Sequence, residues 1–434
     1  MIRLPTRDFQ VELEKAMKKE TPRPQTHQLE NAMMLILAPN HEAQTACVSV
    51  AFPYGDMNSM QKWGLPTTHF LEHMFRKGTT TRSVHQMLDE LDWMADEHNA
   101  FTAGEMMQYF QTADSSELPS AIAILADQVQ NSTIAPERLA LEYGPITQEY
   151  ARKLDSPTYP STLRFSSELY GDHPAGRRCA FTEEEVRRIT REILLEAKET
   201  MCKPDKCALI VYGDFNPDEA ISAARESFEG FTGKSTAPEI PEAPLAQEHK
   251  EVLVENEKIK RALLWVGVKK PTSKNMPDLD VVSFQIGRAV LSRKLLFALR
   301  TDSGLTYGVS VGGSGSKCYA YTEITTDTKP DDLEAGKSVL TDVLRKVADG
   351  EISEDDVALA KYRAARAERL SVHEVITKAH GLAFDALHFN KPNAAADYLP
   401  NLRKVTLDGV RAALQKYMDP DKALVLTTVP KRRN

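Results

Sequence analysis

The chain has 434 residues with 54 Lys+Arg against 62 Asp+Glu, a formal charge of −8. Hydrophobic residues make up 41% and charged residues 27%, which excludes wholesale disorder and fits two or three globular domains, each large enough to bury a core. The acidic balance gives no electrostatic reason to expect nucleic acid, and no apolar run reaches the roughly 18 residues that a membrane-crossing helix needs.

In chain order, the N-terminal stretch MIRLPTRDFQVELEKAMKKE alternates charged and apolar residues and has no signal-peptide core. The five cysteines, Cys47, Cys179, Cys202, Cys207 and Cys318, are odd in number and scattered. They read as free thiols rather than a disulfide framework or a metal site, and the cytoplasm is the expected compartment. TACVSVAFPYGD from Thr45 reads as an apolar strand ending in a turn. Glu183-Glu184-Glu185 after Thr182 reads as a capped, acidic first helical turn.

Thr190 to Pro204 (TREILLEAKETMCKP) followed by DKCALIVYGD predicts a Thr-capped helix, a Pro-Asp-Lys turn and a buried strand. Thr406 to Pro420 (TLDGVRAALQKYMDP) followed by DKALVLTTVP repeats that pattern at an offset of 216 residues. The same offset lays TACVSVAFPYGDMNSM from Thr45 over RALLWVGVKKPTSKNM from Arg261. Two copies of one domain explain this. The Pro-rich, aperiodic stretch 233–248 marks the junction, giving a repeat over 1–232, a linker, and a second repeat over 249–434. The order of elements in each half predicts an α+β fold, helices packed on a largely antiparallel sheet.

The sharpest chemical signal is His69-Phe70-Leu71-Glu72-His73, an H-x-x-E-H pattern. On a helix, positions i and i+4 share a face, so both imidazoles can converge on one divalent ion, for which zinc suits mixed nitrogen and carboxylate ligands. Glu72 sits beside them without being a ligand, as a general base must. Two histidines leave zinc short of protein ligands, so a third must come from elsewhere. His373 and His380, seven apart and without carboxylate companions, read as a solvated or packed helix face, and His85, His98 and His173 as structural or surface residues.

GLPTTHFLEHMFRKGTTTRS, NAFTAGEMMQYF from Asn99, DSPTYPSTLRFSSELYGDHPAGRR from Asp155, the GDFNP turn from Gly213, and SRKLLFALRTDSGLTYGVSV from Ser292 together resemble the insulinase/pitrilysin family of zinc metallopeptidases over nearly the whole chain. The resemblance implies one half of a clamshell, as in bacterial-type members of about this length. It implies one Zn2+ per chain held by His69, His73 and a glutamate 75 intervening residues later, Glu149. It places a supporting glutamate at Glu142, an edge strand at Asn99 and Ala100 that pairs with extended substrate, and a substrate- and oxyanion-binding pair at Arg300 and Tyr307. Two departures stand out. Gly144-Pro145 interrupts the helix that would carry both glutamates, where a kink is expected, and Ile286-Gly287-Arg288-Ala289-Val290 lacks the glycines that usually precede the Arg/Tyr element. At the repeat offset His69 and His73 fall on Gln285 and Ala289, so the second repeat has no metal site of its own.

The expected function is a zinc endopeptidase acting on short or unfolded peptides inside a closed chamber, with two identical copies completing sites across their interface. The alternatives are a catalytic subunit that needs a separate, related partner for peptide maturation, and a non-catalytic peptide-binding scaffold. The presence of Glu72 argues against the scaffold.

Overall fold

The computed structural model describes residues 9–18, 23–177 and 181–431. Cys179 lies outside them. The first sheet holds β1 (Gln25–Gln28), β2 (Met34–Pro39), β3 (Ala46–Phe52), β4 (His98–Thr102), β5 (Met107–Ala113) and β6 (Ala208–Gly213), in the order β1-β2-β6-β3-β5-β4. The second holds β7 (Lys250–Asn256), β8 (Ala262–Lys269), β9 (Val309–Gly315), β10 (Ala320–Thr328) and β11 (Leu424–Pro430), in the order β7-β11-β8-β10-β9. Each sheet has one parallel pair, β2 with β6 and β7 with β11, and its other pairings are antiparallel. The fold is therefore α+β, as expected.

Without β1, the two strand orders are the same, and their starting residues Met34 and Lys250 are 216 apart. The two helices predicted from the repeat are present at Arg191–Met201 and Leu407–Tyr417. Thr190 and Thr406 cap them by accepting from the amides of Ile193 and Gly409, which satisfies a donor the first helical turn cannot pair internally. Thr182 caps the acidic turn in a reciprocal box with Glu185.

Why the central strands are apolar throughout follows from their cover. Every residue of β3 is buried, because both faces of the sheet are packed. Val48, Val50 and Phe52 join a core with the helix Leu118–Asn131, whereas Cys47 and Ala51 point the other way. That other face is covered by Val375, Ala379, Leu382 and Ala383 of the helix Val375–Phe389, which comes from the second repeat. The exchange runs both ways. Phe165, Leu169 and Tyr170 of the helix Tyr159–Tyr170 pack on Leu424 and Leu426 of β11, with Trp265 of β8 beside them, and Leu13, Ala16 and Met17 of the helix Phe9–Met17 enter the second repeat's core. The fit is close: a Cβ on Gly267 would lie 2.4 Å from Phe165 Cζ. Cys47, Cys202, Cys207 and Cys318 are buried free thiols, and among the described residues no helix is long and apolar enough to cross a membrane.

Candidate metal centre

The helix Thr67–Met74 is short and one-sided. Phe70, Leu71 and Met74 are fully buried against the first sheet, which leaves His69, Glu72 and His73 on the opposite face. Thr68 Oγ1 donates to Asp56 Oδ1 at 2.8 Å and anchors the helix start. Facing it is the helix Pro136–Asp155, on which Leu139, Glu142 and Ile146 form the buried stripe and Glu149 follows seven residues after Glu142. This helix runs uninterrupted through Gly144-Pro145 for 20 residues. The carbonyl freed by Pro145 belongs to Leu141, on an exposed segment where water can bond it, so the departure does not part the two glutamates.

The carboxylates meet the imidazoles. His69 Nε2 lies 3.1 Å from Glu149 Oε2, His73 Nε2 lies 3.7 Å from Glu149 Oε1, and His73 Nδ1 lies 2.8 Å from Glu142 Oε2. One donor atom from each of His69, His73 and Glu149 falls within 4.8 Å of the others, and the two rings are 4.9 Å apart. Glu142, with 7% of its side chain exposed, also receives Lys77 Nζ at 2.7 Å. Its bonds from His73 and Lys77 outweigh burial and hold its pKa down at about 2. Glu142 is thus ionised and can only accept, so His73 Nδ1 must donate and His73 Nε2 keeps its lone pair toward Glu149. Glu149 is held below its ordinary range mainly by the hydrogen bond from His69. Burial works to lower the His69 pKa, but the Glu149 bond and the charges of Glu72 and Asp56 raise it above the usual value. Two nitrogens and a carboxylate oxygen that together favour positive charge fit a tetrahedral zinc with one position left for a small ligand.

Two neighbours were not singled out in the sequence. Lys77 fixes Glu142, and Arg76, one helical turn after Glu72, reaches across to β4. Arg76 Nη1 donates to Asn99 Oδ1 at 3.2 Å, and Nη2 lies 2.7 Å from His98 Nδ1. The only local signal was the Arg76-Lys77 pair that follows the H-x-x-E-H pattern after Met74 and Phe75. β4 is one of the two edge strands of the first sheet, paired through Asn99–Phe110 and Ala100–Tyr109 to β5. The Ala100 amide is bonded to Asn99 Oδ1 at 2.9 Å, a contact that an added strand would displace.

Arg300 and Tyr307 come together elsewhere. The helix Asp278–Leu296 runs directly into a π-helical segment, Phe297–Asp302, so the stretch that lacks the usual glycines is helical here. The Arg300 guanidinium lies 4.7 Å from the Tyr307 ring centre, and Tyr307 is 79% exposed. Among the described residues this pair makes no hydrogen bond or ion pair with His69, His73 or Glu149. The remaining histidines are structural or exposed: His380 packs edge-on against Phe101 and Phe110, His173 Nε2 bonds the Pro241 carbonyl at 2.9 Å, and His85 is exposed.

Comparison with known proteins gives the family of the chain. Residues 34–183 match the family described as insulinase (peptidase family M16), and residues 188–363 match the peptidase M16 inactive domain. The chain belongs to this family. A relative from Mycobacterium leprae named an uncharacterized zinc protease is 26% identical over 364 residues, covering 81% of this chain and 80% of its own. A protease from Helicobacter pylori has the same fold, with a TM-score of 0.84, 17% identity, and coverage of 94% of this chain and 100% of that one. The structure described as a peptidase M16 inactive domain from Pseudomonas fluorescens aligns with a TM-score of 0.83 at 16% identity, over 94% of this chain and 98% of that one.

Proposed function

We propose that the chain is a zinc-dependent endopeptidase. The observation that carries the reading is the convergence of His69, His73 and Glu149 within 4.8 Å, with Glu72 on the same helix and Glu142 fixing the His73 tautomer. Those three residues would hold one zinc per chain, and when bound the metal supplies Lewis acidity toward a carbonyl and a water. Glu72 takes the proton of the attacking water on a carboxylate oxygen and returns it to the departing amine. Asn99 and Ala100 hold an extended peptide along the β4 edge by main-chain bonds, after the Asn99 side chain swings off the Ala100 amide.

Arg300 and Tyr307 then bind substrate carbonyls and the developing oxyanion from a second copy of the chain. Their exposure, and their separation from the metal cluster within one chain, support a homodimer whose sites are completed across the interface. The two facing halves would enclose a chamber that admits short or unfolded peptides. The repeats 1–232 and 249–434 and a reducing, cytoplasmic location, which the buried free thiols support, belong to the same proposal.

Cleavage of a quenched fluorescent peptide library tests this. Activity should be removed by chelator, restored by zinc and reduced about 100-fold or more by Glu72→Gln. Stoichiometric zinc without cleavage would favour the reading in which a separate partner subunit completes the site. Absence of both would favour a peptide-binding scaffold.

A further inference from the structure

The second repeat has replaced its counterparts of all five residues of the metal centre. At the offset of 216, His69, Glu72 and His73 become Gln285, Arg288 and Ala289, while Glu142 and Glu149 become Ala358 and Ala365. Carboxylates and imidazoles have given way to an amide, a cation and three alanines. Here, between the helices Asp278–Leu296 and Glu354–Leu370, the structure has a cleft of about 790 Å³. Gln285 and Arg288 line it, and Lys270 at the end of β8 joins them.

Two cations of the cleft lack an ionic partner among the described residues. Arg288 gives one hydrogen bond, from Nη1 to the Gly312 carbonyl at 3.2 Å, and its buried Nε has no partner. Lys270 Nζ has only a long contact to the Pro271 carbonyl, at 3.4 Å. Among the described residues neither cation forms an ion pair. Asp278, Glu368 and Asp397, which also line the cleft, are paired with Lys391 at 2.6 Å, Lys378 at 2.6 Å and Arg23 at 2.5 Å, while Glu374 and Asp385 line it too and, among the described residues, neither forms an ion pair with Arg288 or Lys270. Burial and mutual repulsion lower the Lys270 pKa to about 8, and burial lowers that of Arg288. Two partly desolvated like charges without a counter-ion are costly to keep, and an incoming anion would relieve both. Met276, Phe384 and Phe389 provide an apolar wall beside them.

We propose that this cleft binds a small organic anion, a carboxylate or phosphate carried on an apolar body, with Arg288 and Lys270 holding the anionic group. The site is independent of the metal centre and of whether the chain cleaves peptides.

Isothermal titration calorimetry on the full chain tests it with two probes, N-acetylphenylalanine for a carboxylate and phenyl phosphate for a phosphate. At least one should bind with a Kd below about 1 mM, and N-acetylphenylalaninamide or phenol should bind at least about 10-fold more weakly than the matching anion. Arg288→Gln alone, and with Lys270→Gln, should weaken the anion about 10-fold or more without lowering Tm, because an unpaired buried charge is removed. Failure of both anions to bind the wild type, or binding that survives the double substitution, would overturn the assignment.

Discussion

His73 donates its Nδ1 proton to Glu142 Oε2 across 2.8 Å, and this one bond decides which ring nitrogen is available for a metal. Because Glu142 is ionised and also paired with Lys77, it cannot reverse the bond. Glu142→Gln leaves an amide that can present its NH2 to Nδ1 and release the tautomer. Zinc affinity should fall about 10- to 100-fold, read by competition with a chromophoric chelator. Unchanged affinity would show that Glu142 does not orient His73.

The stacked pair Arg300 and Tyr307 allows a complementation test of the dimer. Chains carrying Glu72→Gln and chains carrying Tyr307→Phe are each expected to be poorly active. If one copy serves the other's metal centre, mixing equal amounts and allowing exchange should restore about a quarter of wild-type activity, since half the dimers are mixed and each has one intact site. No recovery would mean that both residues act within one chain.

Gly267 and Phe165 test the packing between the repeats. A methyl group at position 267, beside Leu424 of β11, would lie 2.4 Å from Phe165 Cζ and 3.4 Å from Leu169 Cδ1. Gly267→Ala should destabilise by about 1–3 kcal/mol in urea unfolding, and pairing it with Phe165→Leu should recover part of the loss. Additive losses would place the strain elsewhere.

Asp385 predicts a pH dependence. Burial raises its pKa from 3.8 to about 7, against the opposing charge of Lys391. Between those values the folded chain retains a proton that the unfolded chain has released. Its contribution is therefore complete below about pH 4 and is lost as pH rises through about 7. Asp385→Asn should be more stable than wild type at pH 8, on the order of 1–2 kcal/mol, with the difference shrinking toward pH 4. Chemical unfolding at the two pH values checks this.

Much of this was legible before any coordinates. The duplication showed in Thr-capped helices and apolar strands at a fixed offset, and both copies fold as that pattern demands. His69 and His73 converge because i and i+4 share a helix face, while the distant Glu142 and Glu149 came only through family resemblance. Pro145 was harder to judge: its ring removes one helix bond, but the residue whose carbonyl it strands, Leu141, is 63% exposed, and the helix continues through it. What could not be read was which sheet each helix covers. Val375–Phe389 is apolar enough to sit on either sheet, and nothing local to its sequence says that it caps the first. The Arg76 bridge to Asn99 likewise depends on β4 lying beside the metal helix, a relation set by the sheet order.

The crossing of Val375–Phe389 and Tyr159–Tyr170 has a consequence for how this chain can be taken apart. A cut between residues 233 and 248 would give two fragments of plausible size, yet the first would lack the cover over Cys47, Ala51 and Ile210, and the second the cover over Leu424 and Leu426. Each would present a bare apolar sheet to water. The sequence repeats, but the folded chain is woven: each half carries part of the cover over the other's sheet.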